Sequence, residues 1–295
     1  MTGVDHMSRR PDRARDEAEI ERIEREKAET ARRSMPNPIR VFVGCAANND
    51  DLESMAVLEW SLRKHTSRPL EITWMQLSRD PASPFYSDGP HGWQTRFWTT
   101  PFSGFRWAVP ELCGFEGQAI YTDSDVIFRA DIAELWNQPI PAGKMVIAKG
   151  GQRLCVSKWD CAAAEKSLPP LTELQGDPRS HRSLMRWIAD SPTLVEPFHD
   201  GDWNTLDLEP FDLASPRVKA LHCTGIPTQP QLRHALPRLA REGGRHWFGG
   251  VARRHPRPEV ERLFDKLLAE ATAHGFGIER YRREPFGEYN IRAGR

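Results

Sequence analysis

The stretch from Ile39 to Trp74 constrains the fold more than any other. Ile39-Arg40-Val41-Phe42-Val43-Gly44-Cys45 is a short apolar run of β-forming residues, followed by the loop Ala46-Ala47-Asn48-Asn49-Asp50. From Asp51 onward Met55, Leu58 and Leu62 recur at helical spacing, and Leu70-Glu71-Ile72-Thr73-Trp74 returns to a strand-like pattern. Strand, helix and strand in such close succession predict a βαβ unit and therefore a parallel pair. Residues 80–102 are rich in Pro, Gly and aromatics and predict a long functional loop. A helix is expected over Ser103–Leu112 and a strand over Gln118–Thr122, with short strands at Met145–Ala148, Leu154–Ser157 and Val218–Leu221. Helical patterns at Gln231–Glu242 and Pro258–His274 flank the Gly-rich turn 243–250. These patterns predict an α/β fold built on a parallel βαβ unit, with a helical C-terminal segment.

A length of 295 residues, 39% of them hydrophobic, gives ample core for one large domain or two small ones and excludes a disulfide miniprotein, a collagen or a wholly disordered chain. No stretch reaches the roughly 18 consecutive apolar residues of a membrane span, and the first residues lack the apolar core of a secretory signal, so a cytoplasmic protein is expected. Cys45, Cys113, Cys155, Cys161 and Cys223 are odd in number and not closely paired, which favours reduced thiols. The formal charge of zero hides a division: residues 1–38 are balanced, 39–231 carry −6 and 232–295 carry +6. Three parts follow. Residues 1–38 form a charged helix or disordered appendage ending at Met35-Pro36-Asn37-Pro38, residues 39–230 form the main body, and residues 231–295 form a basic helical segment packed on or appended to it. A basic end suits a phosphate-rich partner or a peripheral contact with an anionic membrane, and equally a solvated Arg-rich helix surface.

The chemistry concentrates in Ala119-Ile120-Tyr121-Thr122-Asp123-Ser124-Asp125-Val126-Ile127-Phe128. An apolar strand that ends in carboxylates at i and i+2 sets both on one side of the chain, at the edge where open α/β sheets bind ligands. Two hard oxygen ligands with open positions beside them suit Mg²⁺ or Mn²⁺ bridging to a diphosphate. By itself the pair also reads as a turn or helix cap, since Asp favours both.

Together with Asp131-Ile132-Ala133-Glu134-Leu135-Trp136, this segment resembles the metal-binding segment of GT-A glycosyltransferases, especially the family 8 group of retaining galactosyl- and glucosyltransferases. Val41–Asp50 resembles that group's opening nucleotide-binding strand, Phe102-Ser103-Gly104-Phe105-Arg106-Trp107 its donor-facing helix, and Leu221-His222-Cys223-Thr224-Gly225 its late His-x-x-Gly motif. The likeness spans residues 39–230, which would then be a GT-A catalytic domain, and implies an α/β, Rossmann-like mixed sheet flanked by helices. It implies Asp123, Asp125 and His222 as ligands of Mn²⁺ or Mg²⁺, the nitrogen ligand favouring Mn²⁺. It also implies Ala46 and Asn48 at the base and ribose, Ser124 at the ribose, Arg106 by the diphosphate or sugar, and Gly225 and Thr228 along the diphosphate loop. The implied activity is transfer of a hexose from a nucleoside-diphosphate sugar, UDP-linked by the resemblance, to an acceptor hydroxyl with retention.

The chain departs from that pattern in places. The group's lysine after the late Gly falls in Ile226-Pro227-Thr228-Gln229-Pro230, so Arg233 or another C-terminal arginine is expected to neutralise the diphosphate. The acidic residue beside the donor sugar has no clean counterpart, leaving Asp177, Asp200 and Asp202 as candidates. Cys155-Val156-Ser157-Lys158-Trp159 replaces the group's Asn-Ala/Ser-Gly strand, which implies altered sugar recognition. Trp93, Trp98, Trp203 and Trp247 fall in loops, and at most two of them are expected to touch ligand. A nucleotide-sugar-binding protein without transfer would keep the metal residues. A haloacid-dehalogenase-like phosphatase would need its Asp-x-Asp near the domain start and later Lys and Asp motifs, which are not found. No nucleic-acid reader motif is present, and the acceptor is open: saccharide, protein or small molecule.

Overall fold

The computed structural model describes residues 37–288 together with Arg22, so the appendage expected over residues 1–38 lies outside the described residues except for Arg22, Asn37 and Pro38. In chain order the elements are β1 (Ile39–Gly44), α1 (Leu52–His65), β2 (Leu70–Met75), the short hairpin β3 (Ser87–Asp88) and β4 (His91–Gly92), α2 (Val109–Leu112), β5 (Gln118–Asp123), β6 (Val126–Phe128) and α3 (Ile132–Asn137). Then come β7 (Val146–Ala148), β8 (Val156–Asp160), α4 (Cys161–Glu165), α5 (Leu171–Gly176), α6 (Ser180–Ala189), β9 (Val195–Glu196), β10 (Thr205–Leu206), β11 (Ala220–His222), α7 (Leu232–Arg241) and α8 (Pro258–Ala273).

A six-stranded mixed sheet in the order β2-β1-β5-β8-β7-β9 forms the centre. β1 runs parallel to β2 and to β5, as the βαβ reading requires, whereas β8 is antiparallel to both β5 and β7. A three-stranded sheet β10-β11-β6 adjoins it, with β11 antiparallel to β6. The mixed α/β fold with helices flanking a central sheet therefore agrees with the sequence reading.

Strand periodicity sorts the core into two faces. Ile39, Val41 and Val43 join Ile120, Ile147 and Val156 on one face, while Phe42 joins Tyr121, Trp107 and Trp159 on the other. α1 and α8 cover part of this core, with Val57 packing against Val260, Phe264 and Leu267. A buried ion pair ties α7 to α1: Arg238 donates to both carboxylate oxygens of Glu53 at 2.7 and 2.9 Å.

Two local differences from the sequence pattern have physical causes. The helix expected over Ser103–Leu112 is a 3₁₀ turn at Phe105–Ala108 followed by one α-turn. Gly104 lies so close to Trp98 that a Cβ there would meet its ring at 2.2 Å, and Pro110 is confined to the first turn of α2. α6, for which no helix was expected, carries Arg and His on a strongly amphipathic 10-residue helix. Among the described residues no helix is long and apolar enough to cross a membrane.

Candidate functional site

The aspartate motif sits where the two sheets meet. β5 ends at Asp123, paired in register with Gly44 at the end of β1, and Ser124 N donates to Gly44 O at 2.9 Å. One residue further on, Asp125 has left the large sheet: its carbonyl accepts from Cys223 N at 3.0 Å, and Val126 pairs with His222 across β6 and β11. The i, i+2 carboxylates therefore face one space from two sheets. A cavity of about 300 Å³ opens there, lined by Asp51, Arg106, Asp123, Ser124, Asp125, Arg153, Cys155, His181, His222, Thr224, Gln229 and Trp247, among others.

Each charged group has a defined partner. Asp123 Oδ1 accepts from Tyr121 Oη at 2.7 Å and from Arg106 Nη2 at 3.2 Å, with only 5% of the Arg106 side chain and 9% of that of Asp123 exposed. Gly44 makes the first contact possible, since a Cβ there would fall 2.3 Å from the Tyr121 oxygen. Burial would lower the Arg106 pKa, but the Asp123 carboxylate together with the smaller contributions of Tyr121 and Cys155 outweighs it and holds the guanidinium charged. Asp125 Oδ2 accepts from Gln229 Nε2 at 2.6 Å, whereas Oδ1 is buried without a hydrogen-bond partner, 3.1 Å from His222 Nε2 but off the hydrogen-bond line. Burial raises the Asp125 pKa, an effect partly offset by His222. For His222, burial acts downward and is overcome by Asp125 and Cys155 acting together, so the ring is shifted well upward. Its Nδ1 lies 2.9 Å from Asn204 Oδ1. With Asn204 Nδ2 given to Arg153 O, that contact reads as Nδ1–H donating, which leaves Nε2 turned toward Asp125.

Two further titratable groups complete the walls. Asp51 Oδ2 accepts from Ala46 N at 2.7 Å and Ser124 Oγ at 3.0 Å, yet burial still pushes its pKa up to about 6. His181 Nδ1 accepts from Trp107 Nε1 at 3.0 Å, and burial followed by the nearby Arg106 charge brings its pKa down to about 3. The neutral His181 ring therefore carries its proton on Nε2.

The donor set suits a divalent cation. Asp123, Cys155 and His222 each offer a ligand atom within 4.8 Å of the others, and Asp125 Oδ1 is an unsatisfied buried oxygen beside His222. The His222 ring is the counter-charge of that oxygen at 3.1 Å, and a divalent cation held by both residues would take over that role.

The sequence-expected residues divide into those the cavity gathers and those it does not. Asp123, Asp125, His222, Arg106 and Ser124 all line it. Ala46 is fully buried, its N–H given to Asp51 and its carbonyl to Gln76. Asn48 exchanges a pair of hydrogen bonds with the backbone of Gly287 at 2.6 and 2.8 Å, on a different surface. Gly225 and Thr228 bracket the turn that brings Ile226 to the cavity, and Thr228 Oγ1 donates back to Gly225 O at 2.9 Å. The three aspartates expected beside the sugar stand outside the lining. Asp177 is an exposed turn residue accepting from Arg179 N, Asp200 is 76% exposed, and Asp202 pairs with Lys149 at 2.8 Å. Arg233 is engaged by Glu261 and Asp265, while Arg153 is the exposed arginine at the cavity. Trp93, Trp98 and Trp203 are core residues, and of the four tryptophans only Trp247 is in the lining. Tyr121, Asn204, Gln229, Asp51 and His181 had no sequence signal as site residues. Their roles come from pairing between segments up to 104 positions apart, as for Gln229 and Asp125.

No family model matches the chain. Protein CDI of Arabidopsis thaliana is 34% identical over 106 residues, covering 35% of this chain and 37% of that protein. The chain is thus similar to little more than a third of that relative's length. Among solved structures, the apo bifunctional glycosyltransferase WbbM is 14% identical with a TM-score of 0.42, covering 65% of this chain and 46% of that one. The galactosyltransferase LgtC, in complex with donor and acceptor sugar analogs, is 10% identical with a TM-score of 0.46, covering 79% of this chain and 96% of that one.

Proposed function

We propose that this protein is a metal-dependent GT-A glycosyltransferase of the family 8 type, which moves a hexose from a nucleoside-diphosphate sugar, UDP-linked, to an acceptor hydroxyl with retention at the anomeric carbon. The observation that carries the reading is the meeting of Asp123, Asp125, His222 and Arg106 in one cavity at the carboxyl edge of the parallel strands. Topological edges of this kind are where α/β sheets hold phosphorylated ligands.

In this reading Asp123, Asp125 and His222 hold Mn²⁺ or Mg²⁺, with Asn204 fixing the imidazole from behind. The bound cation supplies charge stabilisation to a departing diphosphate. Arg106 is already charged and held by Ser103 O and Asp123, so it presents a preorganised cation to developing negative charge without further ordering. Arg153, exposed at the rim, is the additional cation for the diphosphate. Ser124 faces the ribose, and the His181 Nε2–H offers a fixed neutral donor to a sugar or acceptor oxygen. A second cavity of about 370 Å³ shares Thr99, His181, Met185, Ile226 and Trp247 with the first and carries Phe97 and Phe248 as well, which suits it to the acceptor. An Asp-nucleophile phosphatase fits less well, because both Tyr121 and Arg106 occupy the Asp123 oxygen that would attack.

The test is hydrolysis and transfer from a panel of UDP-, GDP- and dTDP-sugars with and without Mn²⁺. Metal-dependent turnover of one nucleotide series is expected. No turnover and no metal-dependent nucleotide binding across the panel would reject the function.

A further inference from the structure

Cys155 lines the cavity and stands beside the proposed cation site but is not among its proposed ligands Asp123, Asp125 and His222. Its carbonyl accepts from Asp123 N at 2.9 Å, which sets it directly beside the first carboxylate of the motif. Its Sγ lies within 4.8 Å of the nearest ligand atoms of Asp123 and His222, and 3.8 Å from Arg106 Nη1. With metal–sulfur and metal–nitrogen bonds of about 2.3 and 2.1 Å, two ligands at a tetrahedral angle stand about 3.6 Å apart, so side-chain adjustments of about 1 Å bring the three atoms onto a single ion. Cys155 is half-buried and lines the cavity, whereas Cys45, Cys161 and Cys223 are buried, and neither they nor Cys113 line it.

We infer that Cys155 is a ligand of the cation site, making it a mixed sulfur, nitrogen and oxygen set that selects borderline ions such as Co²⁺ and Zn²⁺ over Mg²⁺. This rests on the reading of Asp123 and His222 as a cation site and adds a ligand and a selectivity to it. A thiolate is a soft donor, so it strengthens binding of borderline ions and contributes little to Mg²⁺, which prefers oxygen and retains its waters. As the sulfur–metal bond forms, the thiol proton passes to the buffer and no oxidation state changes.

The experiment is titration of the metal-free full-length protein with Co²⁺, followed by absorbance. A thiolate bound to Co²⁺ gives a sulfur-to-metal charge-transfer band in the near ultraviolet that oxygen and nitrogen ligands lack. The expected result is a band saturating at one equivalent, retained in Cys113→Ser and absent from Cys155→Ser and Cys155→Ala. Both Cys155 variants should lose Co²⁺ affinity by about 10-fold or more, a range that even outer-sphere partners command. Mg²⁺ affinity should hold in Cys155→Ser, whose hydroxyl is a hard donor. Far-ultraviolet circular dichroism checks both variants, and the wild-type band is a readout that needs neither of them. Co²⁺ binding without the band, or a band that survives in Cys155→Ser and Cys155→Ala, overturns the thiolate ligand and leaves the proposed function standing. No binding of Co²⁺ or Mn²⁺, with UDP present or absent, overturns both.

Discussion

Asn204 offers the sharpest perturbation of the proposed cation site, because it touches His222 without lining the cavity. Its Oδ1 accepts from His222 Nδ1 at 2.9 Å, and the two residues are 0% and 3% exposed. Asn204→Ala removes that acceptor and leaves the ring N–H buried and unpaired, which costs about 1–3 kcal/mol of folding stability. The same change frees the ring to turn, and loss of such an orienting partner lowers metal affinity by about 10–100-fold, or about 1.4–2.7 kcal/mol. Asn204→Asp keeps an acceptor at the same place and should retain most of the affinity. Manganese titration by electron paramagnetic resonance, which counts free Mn²⁺, reads the binding, and urea denaturation reads the stability. If Asn204→Ala binds Mn²⁺ as tightly as the wild type while remaining folded, His222 is not a metal ligand.

Arg238→Met leaves Glu53 buried and unpaired and should cost about 3–5 kcal/mol in urea denaturation, whereas the double variant Glu53→Met/Arg238→Met should be close to neutral. A single variant as stable as the double one would contradict this. Burial holds the folded Asp51 pKa near 6 against an ordinary 3.8, so the native state binds the extra proton and ionised Asp51 costs stability as the pH rises through that window. Asp51→Asn escapes the cost, and its melting temperature should rise relative to the wild type between pH 4 and 6 by the equivalent of at most about 3 kcal/mol; a difference flat in pH would refute the shift. His181 shows the opposite case: with its folded pKa near 3, the unfolded chain takes up the proton first, and stability should fall by up to about 1.4 kcal/mol per unit as the pH drops below 6.5. That slope should flatten in His181→Gln.

The sheet was legible because its signals are local. Val41, Val43 and Ile120 fall into one face and Phe42 and Tyr121 into the other by simple alternation, and the β1–α1–β2 crossover follows from helical spacing between two apolar runs. α6 was harder to see. Its apolar residues Leu184, Met185, Trp187 and Ile188 do gather on one face, but the helix is only 10 residues long and starts without a side-chain cap. At the site, the two aspartates and His222 are visible as types on strand ends, but the partners that tune them are not. Tyr121 depends on a missing Cβ at Gly44, Asn204 on the parallel pairing of β10 with β11, and Gln229 on a turn that returns to Asp125. Position Asn48 shows the limit of reading roles from order along the chain. Its backbone takes a φ of 62°, and its amide is engaged by Gly287 from the far end of the sequence. Part of the basic charge of the C-terminal segment is likewise neutralised within the fold, with Arg233, Arg238, Arg254 and Arg282 paired to Glu261, Glu53, Glu261 and Glu242.

Calorimetric titration of UDP into the wild type and Asp125→Asn, each with and without Mn²⁺, tests the central claim most directly. Asp125→Asn removes the charge of the proposed cation ligand while its amide oxygen can still accept from Gln229, so little packing is lost. UDP should bind the wild type in a Mn²⁺-dependent manner, and the metal-dependent part of the affinity should vanish in a folded Asp125→Asn. UDP binding of equal strength with and without Mn²⁺, or unchanged in the variant, would contradict a metal-bridged diphosphate at Asp123, Asp125 and His222.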